Sequence, residues 1–168
     1  MRTIVRVIDS ISEYTGKVAC WACVALVGGL VYEVTMRYAF SAPTIWSYEL
    51  SCMLGATIVI LGAAYTHRHR GHVRVDVFYM RLSPKQKAII DVVCALLLFF
   101  PLFIILTYTA ASEMWFSWSM GEVLIATIWY PPAGPIRTVM LLGLFLLALQ
   151  GIAQFIRDSY LLIRNKPL

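Results

Sequence analysis

Four long apolar stretches, each nearly free of charged residues, limit what this chain can fold into. Hydrophobic residues make up 60% of the sequence and charged residues 14%, whereas a soluble domain is about half apolar and a quarter charged. About 20 consecutive apolar residues are enough to cross a bilayer as a helix. The sequence therefore predicts an all-α integral membrane protein with four transmembrane helices, and its 168 residues leave room for one domain.

The predicted spans are separated by charged or proline-containing segments. Their expected boundaries are 18–36, 45–66, 84–118 and 136–156. The third would be about 50 Å long at 1.5 Å per residue, which exceeds the bilayer thickness, so helix 3 is expected to tilt or to project. Pro101 lies in its middle and predicts a kink. Residues 1–17 have apolar side chains at helical spacing and predict an N-terminal amphipathic helix, lying at the interface or leading into the first span.

The distribution of Lys and Arg predicts the orientation of the bundle. Twelve of the fourteen lie in the N-terminal segment, the 67–87 loop and the C-terminal tail, which share one side of a four-span protein. Only Arg37 and Arg137 lie on the other side. Since the side richer in Lys and Arg faces the cytoplasm, both termini are expected there. The net charge of +5 fits anionic headgroups, and no basic surface with interleaved aromatic residues indicates nucleic acid.

Glu33 and Glu49 are the carboxylates at membrane depth that need an explanation. Each is expected about one turn inside the outer end of its helix, and a carboxylate in hydrocarbon is usually paired, turned to protein or placed along a path. Arg37 follows Glu33 by four residues, which puts both on one helix face. The predictions are a structural ion pair among these three residues, a proton- or cation-coupling carboxylate, or contact with a partner protein.

The polar loop after the second span does not have the features of a metal or haem site. His67, His69 and His72 alternate with arginines, whose charge opposes a dication. A haem with two axial histidines needs them on facing helices at membrane depth. No catalytic triad or glycine-rich phosphate loop is visible. We therefore expect neither enzyme activity nor a cofactor or metal, and predict that this loop contacts headgroups or a partner.

Small residues also recur on one face of the second span. Ser51, Gly55 and Gly62 are four and then seven residues apart. Such a face lets helix backbones approach closely. It predicts either a packing seam inside the chain or a docking surface for another membrane subunit.

Several short motifs, in a fixed order, carry a resemblance to a known family. They are Arg37-Tyr38, Pro43, Trp46-Ser47-Tyr48-Glu49, Leu61-Gly62-Ala63-Ala64-Tyr65, Gly71-His72-Val73-Arg74-Val75-Asp76, Gly121-Glu122 and the turn at Pro132–Pro135. Together, over roughly residues 15–156, they resemble the small membrane subunit, of the DctQ type, of tripartite ATP-independent periplasmic (TRAP) transporters.

The resemblance implies a non-catalytic subunit of a sodium-coupled importer of organic acids in a bacterial or archaeal cytoplasmic membrane. In such a transporter a periplasmic binding protein delivers the substrate to one small and one large membrane subunit. The large subunit holds the substrate and sodium and moves as an elevator. The small subunit has four spans and would pack against the large subunit's scaffold and anchor it, with lipids as further partners.

The resemblance and the loop chemistry together nominate three groups of site residues. For structure or partner contact they are Glu33, Arg37, Trp46, Glu49, Arg74 and Asp76. For headgroup or partner contact in the basic loop they are His67, Arg68, His69, Arg70 and His72. For contact with the binding protein they are Glu113 and Glu122.

Two other functions remain open from the sequence. One is a free-standing four-helix exporter of small cations, working as a homodimer through Glu33 or Glu49. The other is the membrane anchor of a redox enzyme, which the placement of the histidines opposes. The four cysteines fall inside apolar runs and indicate no redox site.

Overall fold

The described part of the chain is built from helices. The structure, a computed structural model, describes residues 2–69 and 84–164. Its helices are α1 (Arg2–Ala39), α2 (Ser47–Arg68), α3 (Pro84–Cys94), α4 (Phe100–Met120) and α5 (Gly134–Arg164), with a π-helical turn at Ala95–Phe99 between α3 and α4. In these ranges no strand occurs, and one isolated bridge joins Val123 to Pro132 in the loop after α4.

Four helical segments are long and apolar enough to cross a membrane. They are Val5–Ala39, Ser47–Arg68, Gln86–Met120 and Gly134–Leu162. Large aliphatic side chains lie on the outside of the bundle, as with Leu97 and Leu98 at 70% and 69% exposure, whereas Ala64 and Ala153 are fully buried. An apolar exterior over a core of small residues suits a lipid environment. The prediction of an all-α membrane protein with four spans is confirmed.

The predicted amphipathic segment 1–17 is the first part of α1, which has 38 residues without a break. No proline interrupts it, and at 1.5 Å per residue it is about 57 Å long. Near its start, Val5 and Ile8 are buried together with Ala153 of α5. The start of α1 and the last turns of α5 therefore lie at one end of the bundle, named here the terminal end. The opposite end, with connections 40–46 and 121–133, is the loop end.

The third predicted span contains a π-helical turn just before Pro101. Pro101 cannot donate a backbone hydrogen bond, and the turn before it is widened, since the N–H of Phe100 donates to the carbonyl oxygen of Ala95, five residues earlier. A π-helical turn therefore accompanies the proline, where the sequence predicted a kink at Pro101 alone. The helix then ends at Gly121, whose φ of 62° is left-handed and favours glycine.

Helix α5 packs against each of α1, α2, α3 and α4. Two glycines allow its close approach to its neighbours: a Cβ at Gly143 would lie 2.5 Å from Ile60, and one at Gly151 would lie 2.1 Å from Phe99. By contrast, no atom lies within 4 Å of a Cβ built at Gly55 or Gly62. The prediction of an internal packing seam at those α2 glycines is wrong, because the close contacts are made by the glycines of α5 and by Gly16 of α1, where a Cβ would lie 2.6 Å from Tyr65.

Candidate functional site

Glu33 joins the loop end of α1 to the connection that follows it. The residue is buried, with 6% exposure. Its Oε1 accepts hydrogen bonds from Arg37 Nη2 at 2.6 Å and Arg37 Nε at 3.0 Å. Its Oε2 accepts a bond from the backbone N–H of Thr44 at 3.0 Å and another from the Thr44 hydroxyl. The Glu33–Arg37 pair expected from the sequence is present, and it also fixes the 40–46 connection.

Glu49 and Trp46 hold the start of α2. Glu49 is 3% exposed, and its Oε1 accepts hydrogen bonds from the N–H of Thr127 at 3.1 Å and the Thr127 hydroxyl at 3.3 Å. Trp46 stacks on Tyr32 of α1, with ring centroids 5.9 Å apart. Glu49 therefore ties the 121–133 loop to α2. The sequence predicted an ionic cluster of Glu33, Arg37 and Glu49, and Glu49 is wrongly included in it because it binds Thr127.

Arg137 lies between the two glutamates that the resemblance nominated for the binding protein. Its guanidinium pairs with Glu113 of α4 and lies 2.7 Å from Glu122 Oε1. Ser117 donates a hydrogen bond to Glu122 Oε2 at 2.5 Å. The cluster ties the end of α4 to the start of α5. The Glu113 side chain is 51% exposed and therefore remains reachable from outside the bundle.

The environment of Glu122 favours its charged form. The hydrogen bond from the Ser117 hydroxyl, followed by that from Arg137, holds the pKa of this carboxyl below its usual value, although desolvation opposes the shift. The side chain is a charged acceptor at neutral pH, and the loop end carries two glutamates for one arginine in this cluster.

A second polar network lies at the terminal end, around Asp9. Its carboxylate pairs with Arg157 of α5 and accepts a hydrogen bond from Gln150 at 3.1 Å. Gln150 is fully buried and accepts a bond from the Ser12 hydroxyl at 2.8 Å. Arg68, at the end of α2, donates to the carbonyl oxygen of Asp9 at 3.0 Å. The network therefore joins α1, α2 and α5.

The loop residues nominated for headgroup or partner contact differ in the side chains that surround them. Arg68 is in α2 and also pairs with Glu13, so its charge is used inside the chain. The His67 ring stacks on Phe99 at 5.6 Å, and the His69 ring lies 4.4 Å from that of Tyr65. Arg70, His72, Arg74 and Asp76 lie outside the described residues.

Sequence reasoning missed the network around Asp9, although one signal pointed to it. Gln150, Gln154 and Asp158 follow one another at intervals of four along an otherwise apolar α5, which puts them on one face. All three are buried. Polar side chains at that spacing in a membrane helix predict an internal polar contact, because an unsatisfied group in lipid is costly.

The described ranges contain no group of three or more His, Cys, Asp or Glu residues that could hold a metal ion. A cavity of about 350 Å³ lies between the π-helical turn and α5. It is lined by aromatic residues, such as Phe99 and Phe103, and on its polar side by Asp91, Gln154 and Asp158.

The comparison with models of protein families gives a match. The family model described as "Tripartite ATP-independent periplasmic transporters, DctQ component" matches residues 26–160, which run from the middle of α1 into the last turns of α5. No curated protein matches the chain. The residues of the Asp9 network that belong to α1 precede the matched range.

Proposed function

The chain belongs to the DctQ component family of tripartite ATP-independent periplasmic transporters and is a membrane subunit rather than an enzyme; from this we propose that it packs against the large membrane subunit. In this proposal one copy of the chain anchors the scaffold of one large subunit while the substrate-carrying part moves. The transporter takes up organic acids with sodium, and a periplasmic binding protein delivers the substrate.

The observation that carries the proposal is that the buried carboxylates hold loops and helices of this chain together. Glu33 and Glu49 accept hydrogen bonds from the backbone of the two loop-end connections. Asp9 holds three helices together at the opposite end. Charged groups used in this way fix helix ends and loops, and a subunit held at both ends suits a stationary scaffold.

The alternative of a free-standing cation exporter needs a carboxylate that a cation can reach. Glu33 and Glu49 are 6% and 3% exposed, and each is already bonded to Thr44 or Thr127. A cation would have to displace these hydrogen bonds before it could bind. The geometry therefore favours the accessory subunit over the exporter.

The charge distribution supports an assignment of sides. We place the terminal end in the cytoplasm, because it carries most of the Lys and Arg residues. The loop end then faces the periplasm, where the exposed carboxylate of Glu113 is available to the binding protein. The roles of Arg70, His72, Arg74 and Asp76 in lipid or partner contact stay predictions from the sequence.

Co-purification and reconstitution test this function. The tagged chain is expressed with the large membrane subunit of the same organism, extracted in mild detergent and purified. We expect a one-to-one complex. In vesicles that also receive the binding protein, we expect organic-acid uptake that depends on a sodium gradient.

Two results would overturn the proposal. One is a stable homodimer of this chain that leaves the co-expressed large subunit behind. The other is solute accumulation by vesicles that contain this chain alone. Uptake that is equal with and without a sodium gradient would overturn the sodium coupling and leave the subunit assignment in place.

A further inference from the structure

One face of α1 carries a regular apolar stripe that residues 2–69 and 84–164 leave uncovered. Its residues are Val7, Ile11, Tyr14, Val18 and Trp21, spaced alternately by four and three, and they are named here the α1 seam. Their side chains are between 39% and 75% exposed. Alternation of four and three is the heptad spacing with which one helix packs along another.

The seam is distinct from the face with which α1 packs inside the bundle. Val5, Ile8 and Ser12 form that inner face and are buried against α5. On a helix of 3.6 residues per turn, the seam lies on roughly the opposite side. Helix α1 therefore has two apolar faces, and the bundle uses one of them.

Lipid alone does not account for the whole seam. Helix α1 is about 57 Å long, and the hydrocarbon core of a bilayer is about 30 Å thick. With Glu33 and Arg37 near the loop-end surface, the part of α1 before Lys17 extends past the core at the terminal end. Val7 and Ile11 then lie at or beyond the headgroups, where exposed apolar area is unfavourable.

The charges beside the seam indicate what covers it. Arg6 and Lys17 lie along one edge of it, both are exposed, and within residues 2–69 and 84–164 neither forms an ion pair. Two copies of this chain share one orientation in the membrane. A symmetric pair along the seam would therefore set the edge with Arg6 and Lys17 against the other edge of the second copy, where Thr15 and Ala22 supply no carboxylate. A helix with carboxylates at its edges complements this surface.

The stripe also continues toward the loop end through small residues. Ala25 and Gly28 follow Trp21 at the same spacing, and both are exposed. No atom lies within 4 Å of a Cβ built at Gly28. Small residues at membrane depth allow a partner helix to approach closely.

We propose that the α1 seam is the surface on which a helix of the large membrane subunit, with acidic residues beside its apolar face, docks on this chain. This inference rests on the proposed function and adds the surface of contact to it. The partner helix runs nearly parallel or antiparallel to α1, as heptad packing requires.

Charge substitutions on the exposed seam test the proposal. The double variant Ile11→Glu and Tyr14→Glu is co-expressed with the large subunit, with Ile89→Glu and Ile90→Glu in α3 as the matched control. The four residues are 40%, 70%, 50% and 41% exposed, in that order, and all lie toward the terminal end. We expect the seam variant to retain about tenfold less large subunit, or less still, and the α3 variant to retain the wild-type amount.

The outcomes separate this inference from the proposed function. If the wild-type chain retains no large subunit, the proposed function fails and the seam assignment fails with it. If the wild type and the seam variant retain equal amounts, the seam assignment alone is wrong. Equal losses from the seam and α3 variants would likewise overturn it, because the effect would not be specific to the seam.

Photo-crosslinking gives a readout that needs no disruptive charge. A photoreactive amino acid is placed at Tyr14 in one chain and at Ile89 in another, both with the large subunit present. We expect an adduct with the large subunit from position 14 and not from position 89. An adduct at position 14 with a second copy of this chain, or with lipid only, would overturn the proposal.

Discussion

At the residue scale, the loop-end carboxylates act as acceptors for the backbone of connecting segments. Glu33 binds the N–H of Thr44, and Glu49 binds the N–H of Thr127. Both bonds are partly buried, and an N–H that is shielded from water costs free energy when it loses its acceptor. The two glutamates therefore determine where the loops lie relative to the helix ends.

Two substitutions test whether Glu49 acts through its hydrogen-bond acceptor or through its negative charge. Glu49→Gln keeps an acceptor for Thr127, so we expect a free energy of unfolding and a transport rate close to wild type. Glu49→Leu leaves the N–H of Thr127 unpaired and should lower the free energy of unfolding by about 1–3 kcal/mol. Both are measured in detergent by denaturant titration, and transport is measured in the reconstituted complex. Loss of transport in the stable Gln variant would instead indicate a coupling role for the carboxylate.

Glu122 gives a prediction for pH dependence. Its pKa is lowered by the Ser117 hydroxyl and Arg137, so the folded chain keeps this carboxylate charged at a pH where the unfolded chain has protonated it. Its stabilising contribution is therefore present above the ordinary glutamate value of 4.5 and is lost as the pH falls through the lower folded value. We expect wild type to exceed Glu122→Gln in thermal midpoint at pH 7, with the difference shrinking below pH 4.5. Parallel curves over that range would contradict the assignment.

Local sequence spacing predicted one of these side-chain contacts and could not predict the others. Glu33 and Arg37 are four apart in one helix, so their pairing follows from helix geometry. Glu49 and Thr127 are 78 residues apart, and Asp9 and Arg157 are 148 apart. Contacts between residues so far apart in the sequence depend on which helices become neighbours, and local sequence spacing does not predict which helices pack together.

At the element scale, the chain combines four predictable spans with three features that periodicity did not reveal. The spans follow from apolar length. The unbroken α1, the π-helical turn at Ala95–Phe99 and the close packing of α5 depend on contacts between helices. The apolar spacing of residues 1–17 predicted a helix at the interface or leading into the first span; α1 continues without a break, and Asp9 and Glu13 pair with Arg68 of α2.

The glycines of α5 offer an element-scale prediction with a control in the same chain. A Cβ at Gly143 would meet Ile60 at 2.5 Å, so Gly143→Ala should lower the free energy of unfolding by about 1–3 kcal/mol through overpacking. At Gly62 a Cβ meets no atom within 4 Å. Gly62→Ala should therefore be neutral, or stabilising by up to about 1 kcal/mol through helix propensity. Equal effects of the two variants in denaturant titrations would contradict the packing described for α5.

At the scale of the whole molecule, the start of α1 and the end of α5 share one side of the bundle, and the charge bias predicts that this side is cytoplasmic. A green fluorescent protein fused after Leu168 should fluoresce, and an alkaline phosphatase fused there should be inactive, since each folds on only one side of the inner membrane. Alkaline phosphatase inserted in the 123–129 loop should be active. The reverse pattern would contradict the orientation that the Lys and Arg residues predict.

The uninterrupted course of α1 has a mechanical consequence for the assembly. One rigid helix of 38 residues begins beside the Asp9–Arg157 pair and ends beside the Glu33–Thr44 bond. It contains neither a proline nor a widened turn at which it could bend, unlike the α3–α4 segment. Force applied to its first turns at one membrane surface is therefore transmitted to the connection at the other surface, and α1 behaves as a strut that spans both leaflets.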